Sequence, residues 1–118
     1  MTPTDPRRPG DPYFVTAGTG SRHLLFPGVE IRTTAGDGMM LSVVTFEPGS
    51  VVPEHAHPHE QMGILISGRL EFMIGGLTRV LSPGDQWKIP GGVLHRVQAL
   101  DGPAVALDVF QPIREDYR

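Results

Sequence analysis

Residues 54–61 read EHAHPHEQ and residues 90–96 read PGGVLHR, and these two short segments hold four of the chain's five histidines. Side chains two residues apart on a β-strand point to the same side, so His55 and His57 can present two ring nitrogens to one point. Pro58 has no amide hydrogen for a sheet ladder and therefore predicts that this strand ends there.

Gln61 and His95 complete a candidate metal site. After a turn at residues 59–60, Gln61 returns beside the histidine pair, and His95 opens another predicted strand that can close the site. The chain contains no cysteine, so any metal must be held by His, carboxylate or amide groups. Three imidazoles and one amide oxygen suit a divalent transition metal such as Fe, Ni, Mn, Co, Cu or Zn, and the sequence leaves its identity open.

Glycine and proline divide the chain into short apolar runs. There are 15 glycines and 12 prolines among 118 residues, and no window shows a sustained helical period. The runs between these residues predict nine strands: Gly28–Ala35, Met39–Glu47, Val51–His57, Gln61–Ser67, Arg69–Ile74, Leu77–Leu81, Gln86–Ile89, His95–Leu100 and Ala104–Phe110. Many short strands with short connections indicate an all-β sandwich or barrel.

Composition narrows the class of protein. Hydrophobic residues make up 39% and charged residues 19%, which is typical of one globular domain and excludes a disordered or membrane-spanning chain. A net charge of −3 argues against a nucleic-acid partner. We expect a proline-rich arm over residues 1–20 and a single domain over residues 21–118. The first residues lack an apolar stretch typical of a secretory signal, so a cytoplasmic protein without a membrane partner is expected.

The histidine segments resemble the two motifs of the cupin superfamily. The first motif, Gly-x5-His-x-His-x3-Glu-x6-Gly, is matched with every spacing kept by Gly49, His55, His57, Gln61 and Gly68. The second motif, Gly-x5-Pro-x-Gly-x2-His-x3-Asn, is matched by Gly84, Pro90, Gly92 and His95, with Ala99 where Asn is usual. The resemblance implies a cupin jelly-roll β-barrel of two antiparallel sheets, with a metal inside held by His55, His57, Gln61 and His95.

Glutamine replaces the usual glutamate at position 61. Because an amide ligand is neutral, a divalent ion would keep its full charge and favour an anionic substrate oxygen or a bound hydroxide. Three other residues near the motifs have plainer interpretations. We expect His59 to be a turn residue or a donor behind the ligands, Trp87 to belong to the core or the pocket wall, and His23 to be a surface histidine.

The last predicted strand, Ala104–Phe110, has two unlike faces. One face carries Val105, Leu107 and Val109, and the other carries Ala104, Ala106, Asp108 and Phe110. If the valine and leucine face is buried, Asp108 lies in water. If the alanine face lines a cavity, Asp108 approaches the metal, and the apolar face needs cover from another sheet or subunit.

The C-terminal tail favours the second arrangement. An Asp-x-Phe-x3-Arg pattern, here Asp108, Phe110 and Arg114, is similar to the tail of small single-domain cupins of the KdgF family of pectin-degradation proteins. Gln111 and Ile113 depart from the family tail. The resemblance implies that Asp108, Phe110 and Arg114 are catalytic-site residues. The alternatives are a surface ion pair for Arg114 and a plain core role for Phe110.

The same resemblance implies a function. It predicts a metal-dependent lyase or isomerase that opens the ring of 4,5-unsaturated uronates from pectin or alginate, so the substrate is a small anionic molecule. The alternatives are a cupin dioxygenase, a polyketide-cyclase-type enzyme or a non-catalytic small-molecule-binding cupin. The apolar face of the last strand would need cover, and we therefore expect a homodimer.

Overall fold

A computed structural model describes residues 12–118, so most of the predicted 1–20 arm lies outside the described residues. The described chain has ten strands and one short 3-10 helix: β1 Ser21–Phe26, β2 Val29–Ala35, β3 Met40–Phe46, β4 Val51–His55, β5 Glu60–Ser67, β6 Leu70–Ile74, β7 Leu77–Leu81, β8 Gln86–Ile89, β9 His95–Ala99, β10 Ala104–Gln111 and η1 Glu115–Tyr117. No helix within this range is long and apolar enough to cross a membrane.

The strands form two antiparallel sheets, which confirms the predicted all-β jelly roll. One sheet has six strands in the order β1-β2-β3-β10-β5-β8, and the other has four in the order β4-β9-β6-β7. The sheets remain separate ladders and do not close into one hydrogen-bonded barrel. Apolar side chains from both sheets meet in the core, including Ile31 and Leu65 from the larger sheet and Leu70 and Phe72 from the smaller one.

Strand β1 is the element that the sequence did not predict. It lies at the edge of the six-stranded sheet and pairs only with β2. Its residues alternate between half-buried and exposed, so neither face is fully apolar. An edge strand of this kind lacks the apolar run between glycine and proline residues that identified the other nine.

Strand β10 lies in the middle of the six-stranded sheet and turns its small residues inward. Ala104, Ala106, Asp108 and Phe110 are buried, whereas Val105, Leu107 and Val109 are only half-buried on the outer face. The structure therefore has the second of the two arrangements considered for this strand. Alanine methyl groups fill little of the space between the sheets, and a cavity remains there.

Candidate metal centre

Three histidines converge at one end of the space between the sheets. His55 ends β4, His95 begins β9, and the two residues are direct partners in the antiparallel ladder. His57 was predicted on the same strand as His55, but β4 ends at His55 and His57 lies in the loop beyond it. Its carbonyl oxygen accepts a hydrogen bond from the Gly92 amide at 2.8 Å, which fixes this loop against the neighbouring one. The three residues each offer a ring nitrogen within 4.8 Å of the others.

Backbone carbonyl groups fix the orientation of all three rings. The Nδ1 atoms lie 2.8 Å from the Pro53 oxygen for His55, 2.9 Å from the Val93 oxygen for His95, and 3.0 Å from the His59 oxygen for His57. A carbonyl oxygen can only accept, so each Nδ1 carries the proton. Each neutral ring then presents the lone pair of Nε2, which is the arrangement of metal-binding histidines whose other nitrogen is held.

The electrostatic environment keeps the His57 and His95 rings neutral. Burial lowers the pKa of His57 and lowers the pKa of His95 to about 4, and the positive charge of Arg114 acts in the same direction. The His95 Nε2 atom is buried and has no hydrogen-bond partner among the described residues. A buried lone pair without a donor is costly, and coordination to a cation removes that cost. The histidine cluster therefore fits a divalent metal.

Gln61 adds a fourth oxygen to this cluster. Its side chain donates to the Asp108 carboxylate, so its amide oxygen faces the histidines, with Oε1 lying 3.0 Å from His57 Nε2. Because the His57 proton is on Nδ1, two acceptor atoms face each other at this distance. A cation in contact with both atoms turns this repulsion into coordination.

Asp108 is held on its other side by Trp87. The indole Nε1 donates to Asp108 Oδ1 at 2.8 Å, and both side chains are buried. A Cβ atom at Gly63 would overlap both Trp87 Nε1 and Asp108 Oδ1. Burial raises the pKa of Asp108 to about 6, and the hydrogen bonds from Gln61 and Trp87 act in the opposite direction. Gly63 was not singled out from the sequence, although a glycine inside a strand is a known sign of close approach.

The C-terminal tail places Phe110 and Arg114 on the same cavity. The guanidinium carbon of Arg114 lies 3.8 Å from the ring centroid of Tyr117 and 5.3 Å from that of Phe110. Arg114 Nη2 also pairs with Asp116 Oδ2 at 2.9 Å. Arg114 is only 9% exposed, so the pair with Asp116 coexists with a place at the cavity wall. The Phe110 ring meets the His57 ring edge to face, with centroids 5.7 Å apart.

Tyr117 and His23 anchor this tail, and neither role was predicted. The Tyr117 carbonyl oxygen accepts from the Thr33 hydroxyl and lies 2.9 Å from His23 Nε2. His23, predicted as a surface histidine, is half-buried on the edge strand β1, where its ring contacts the tail. Trp87 lies at the cavity wall as expected, and the His59 carbonyl supports the His57 ring.

The cavity between the sheets is narrow, with about 50 Å³ open to water-sized groups, and about 500 Å³ of empty space when its open mouth is included. Its polar lining comes from a few side chains, namely Ser42, His55, Gln61, His95, Asp108 and Arg114. Most of the remaining wall is apolar. Of the predicted metal ligands, His55, Gln61 and His95 therefore line the same space as the predicted tail residues, and His57 lies beside them in the histidine cluster.

A two-sheet jelly roll with a histidine cluster between its sheets is the arrangement of the cupin class. The family described as Cupin domain matches residues 42–110, which is more than half of the chain. The chain belongs to the cupin family.

Its relatives include the pectin degradation protein KdgF of Dickeya dadantii, which is 32% identical over 85 residues, covering 71% of this chain and 77% of that protein. The solved structure of KdgF from Halomonas sp. matches with a TM-score of 0.76 at 29% identity, covering 84% of this chain and 97% of that one. The dimethylsulfoniopropionate lyase DddQ of Ruegeria pomeroyi is 35% identical over 78 residues, covering 65% of this chain and 39% of the lyase. The chain is thus a small cupin similar to KdgF, and its relatives include enzymes.

Proposed function

We propose that this protein is a metal-dependent enzyme that opens the ring of 4,5-unsaturated uronates. The observation that carries the proposal is the meeting of a ligand cluster, a carboxylate and a buried guanidinium around one small cavity. Similarity to KdgF over most of both chains supports a substrate from pectin breakdown. The substrate class is an anionic monosaccharide with a C4=C5 double bond.

His55, His57, Gln61 and His95 would hold the metal. Their neutral donor set leaves the charge of a divalent ion uncompensated, apart from the carboxylate of Asp108 behind Gln61. When bound, such an ion supplies Lewis acidity that polarises a substrate oxygen. The positive charges of the ion and Arg114 both favour an anionic ligand in the cavity.

Arg114 would hold the substrate carboxylate. A guanidinium offers five N–H donors in a planar fork, and Asp116 takes up only the Nε and Nη2 side of it. Stacking on Tyr117 fixes the plane of the fork at the cavity wall. Phe110, whose ring lies between Arg114 and His57, would pack against the apolar part of the sugar.

Asp108 would carry a proton between two positions of the sugar. Ring opening is an isomerisation in which the anomeric hydroxyl loses its proton, the ring C–O bond at the anomeric carbon breaks to leave an aldehyde and an enolate, and the enolate takes a proton at C4. A carboxylate that faces the cavity can accept the first proton and supply the second, so no other reagent is consumed. The two hydrogen bonds from Trp87 and Gln61 hold it in one orientation.

The proposal is tested by following the conjugated chromophore of the substrate. Purified protein loaded in turn with each candidate metal is mixed with 4,5-unsaturated galacturonate, and near-ultraviolet absorbance is recorded. Accelerated loss of absorbance, together with the linear keto acid as product by NMR, supports the assignment. A rate equal to the spontaneous one for every metal rejects ring opening and leaves the cupin fold and the histidine cluster unaffected.

One observation favours a second candidate, a cupin oxygenase or cyclase for an apolar substrate. Most of the cavity wall is apolar, with Phe46, Phe72 and Leu70 among its members. Such a substrate would have no carboxylate for Arg114, so the arginine would remain paired with Asp116. Oxygen consumption with a flavonol and no response to uronates would select this candidate.

A further inference from the structure

A polar row crosses the inner face of the six-stranded sheet, at the floor of the cavity. Thr33 pairs with Ser42, Ser42 with Asp108, Asp108 with Gly63, and Gly63 with Trp87, so five residues on five strands lie side by side. The neighbouring row on one side is apolar and contains Ile31, Val44, Ala106 and Leu65. The buried polar side chains of this row, on Thr33, Ser42, Asp108 and Trp87, each require a hydrogen-bond partner.

Ser42 is the member of this row whose partner is missing. Thr33 donates its hydroxyl to the Tyr117 carbonyl, and Trp87 donates its N–H to Asp108. Ser42 is 1% exposed, and its Oγ has no hydrogen-bond partner among the described residues. The side chain lines the cavity, so its unmet hydroxyl faces the space in which a ligand would lie.

The position beside Asp108 selects the chemistry of that ligand. Directly opposed residues in an antiparallel pair have their Cβ atoms about 5 Å apart, so one small group can contact both side chains. A serine hydroxyl donates and accepts, whereas a carboxylate only accepts. A hydroxyl meets both requirements, because it can accept from Ser42 and donate to Asp108. A carboxylate at this place would meet the negative charge of Asp108.

We propose that Ser42 and Asp108 form a hydroxyl-binding subsite for a cyclic polyhydroxy acid. The inference rests on the proposed function for the acid group, which Arg114 would hold in the same cavity, and it adds the contact that distinguishes a sugar acid from an apolar carboxylate. Ser42 is a specificity residue in this scheme. It contributes affinity only for ligands that carry a ring hydroxyl.

The experiment compares two non-reacting probes on the metal-loaded protein. D-galacturonate has ring hydroxyls and no C4=C5 bond, and cyclohexanecarboxylate has a ring and a carboxylate without hydroxyls. Trp87 is the single tryptophan of the chain and lies at the cavity wall, so its fluorescence reports binding, with calorimetry as a second measurement. The test variant is Ser42→Ala. The matched control is Thr45→Val, which removes a hydroxyl from the exposed face of the same strand.

The expected result separates the two probes. Ser42→Ala raises the Kd for D-galacturonate about threefold to tenfold, which is the range for one neutral hydrogen bond, and leaves the Kd for cyclohexanecarboxylate unchanged. The same variant has an unchanged or higher Tm without ligand, because a buried hydroxyl without a partner is removed. Thr45→Val changes neither Kd.

Three outcomes overturn the subsite. They are equal weakening of both probes by Ser42→Ala, no effect on either, and no binding of D-galacturonate by the parent protein. Failure of the ring-opening assay is a different result. If galacturonate binding depends on Ser42 but unsaturated uronates are not opened, the subsite stands and the proposed reaction is wrong. If uronates are opened and Ser42→Ala changes neither KM nor Kd, the reaction stands and the subsite is wrong.

Discussion

Trp87 donates its indole N–H to Asp108 at 2.8 Å, directly over the backbone of Gly63. The Asp108 carboxylate also accepts from Gln61, and this second hydrogen bond turns the amide oxygen of Gln61 towards His57. The orientation of a candidate metal ligand on β5 therefore depends on Trp87 of the neighbouring strand β8. Substitution of Trp87, Asp108 or Gln61 is expected to disturb the histidine cluster although no histidine is changed.

Gly63→Ala tests how tightly this chain of contacts is packed. The new Cβ would overlap Trp87 Nε1 and Asp108 Oδ1, so the indole must move away from the carboxylate. Overpacking of this kind typically lowers the free energy of unfolding by about 1–3 kcal/mol, measured by urea denaturation. Gly38→Ala is the control, because a Cβ at Gly38 has no atom within 4 Å. Equal free energies of unfolding for the two variants would show that the space around Gly63 accepts a methyl group.

The histidine cluster predicts the metal content of the purified protein. His55→Ala combined with His95→Ala removes two of the three nitrogens, and we expect most of the bound divalent metal to be lost while the β-sheet circular dichroism signal remains. Elemental analysis measures the result. His23→Ala, which removes a histidine outside the cluster, should retain the metal. Equal metal in the double variant and the parent would contradict the site.

Most of the strands could be predicted from the positions of glycine and proline and from the apolar residues between them. Nine of the ten strands were predicted, because glycine and proline mark their ends and one face of most of them is buried. The pairing of the strands could not be predicted in this way. That β10 lies between β3 and β5 depends on long-range packing, which no local pattern contains, and this position was not predicted.

The candidate site was predictable to the extent that spacing encodes it. The motif spacing brought out His55, His57 and His95, although His57 reaches the cluster from a loop and not from the strand. Ser42 and Gly63 were missed. Ser42 is one serine in an apolar strand, and Gly63 is one glycine among 15. The role of each depends on its neighbour on another strand, which the local sequence does not reveal.

Asp108 predicts how stability depends on pH. Its pKa is about 6 in the folded chain and 3.8 in the reference state, so above pH 6 an ionised carboxylate is buried at a cost. As pH falls from 6 towards 3.8 the folded state binds the proton first, and this cost disappears. Asp108→Asn has no such cost. In chelator-treated protein its stability relative to the parent should therefore rise by up to about 3 kcal/mol between pH 4 and pH 7.5.

The pH test uses the difference between the two proteins because other titrating groups contribute to both and largely cancel. Urea unfolding at a series of pH values gives the free energy of unfolding for each. Parallel curves for Asp108→Asn and the parent would mean that the carboxylate is as well solvated in the fold as in the unfolded chain. A difference between the two free energies of unfolding that stays constant with pH carries no information on the pKa of Asp108.

The outer face of the six-stranded sheet predicts a homodimer. Half-buried Val105, Leu107 and Val109 on β10 are flanked by exposed apolar side chains, namely Leu41, Val43, Met62 and Ile66. A continuous apolar patch of this kind usually marks an interface. Light scattering should give twice the chain mass of 12.8 kDa at micromolar concentration. A single-chain mass would reject the prediction.

The position of that interface is tested with charge. Val43, which is 43% exposed and pairs with Leu107 of β10, is changed to lysine, and the dimer should dissociate because burial of an ammonium group in an apolar interface is costly. Leu77→Lys makes the same kind of change at a residue that is 65% exposed on the four-stranded sheet and should leave the mass unchanged. Dissociation by Leu77→Lys alone would move the interface to the other sheet.

Arg114 and Asp108 should affect different kinetic constants if the protein opens unsaturated uronates. Arg114 is assigned to the carboxylate, so Arg114→Ala should chiefly raise KM, by about tenfold or more for the loss of a charged hydrogen bond. Arg118→Ala is the matched control, because that exposed arginine in the same tail pairs with Glu115 and is not one of the residues that line the cavity. An unchanged KM in Arg114→Ala would mean that the guanidinium serves only its pair with Asp116.

Asp108→Ala should chiefly lower kcat. Proton transfer by a placed carboxylate typically contributes about a hundredfold or more to the rate, whereas the carboxylate of the substrate does not contact Asp108 in the proposed arrangement. Loss of the carboxylate also frees the Gln61 amide, so metal content must be measured on the same sample. A fall in kcat with full metal content assigns the loss to proton transfer. A fall that is restored by excess metal assigns it to the orientation of Gln61, and Asp108 would then be a positioning residue for the metal ligand.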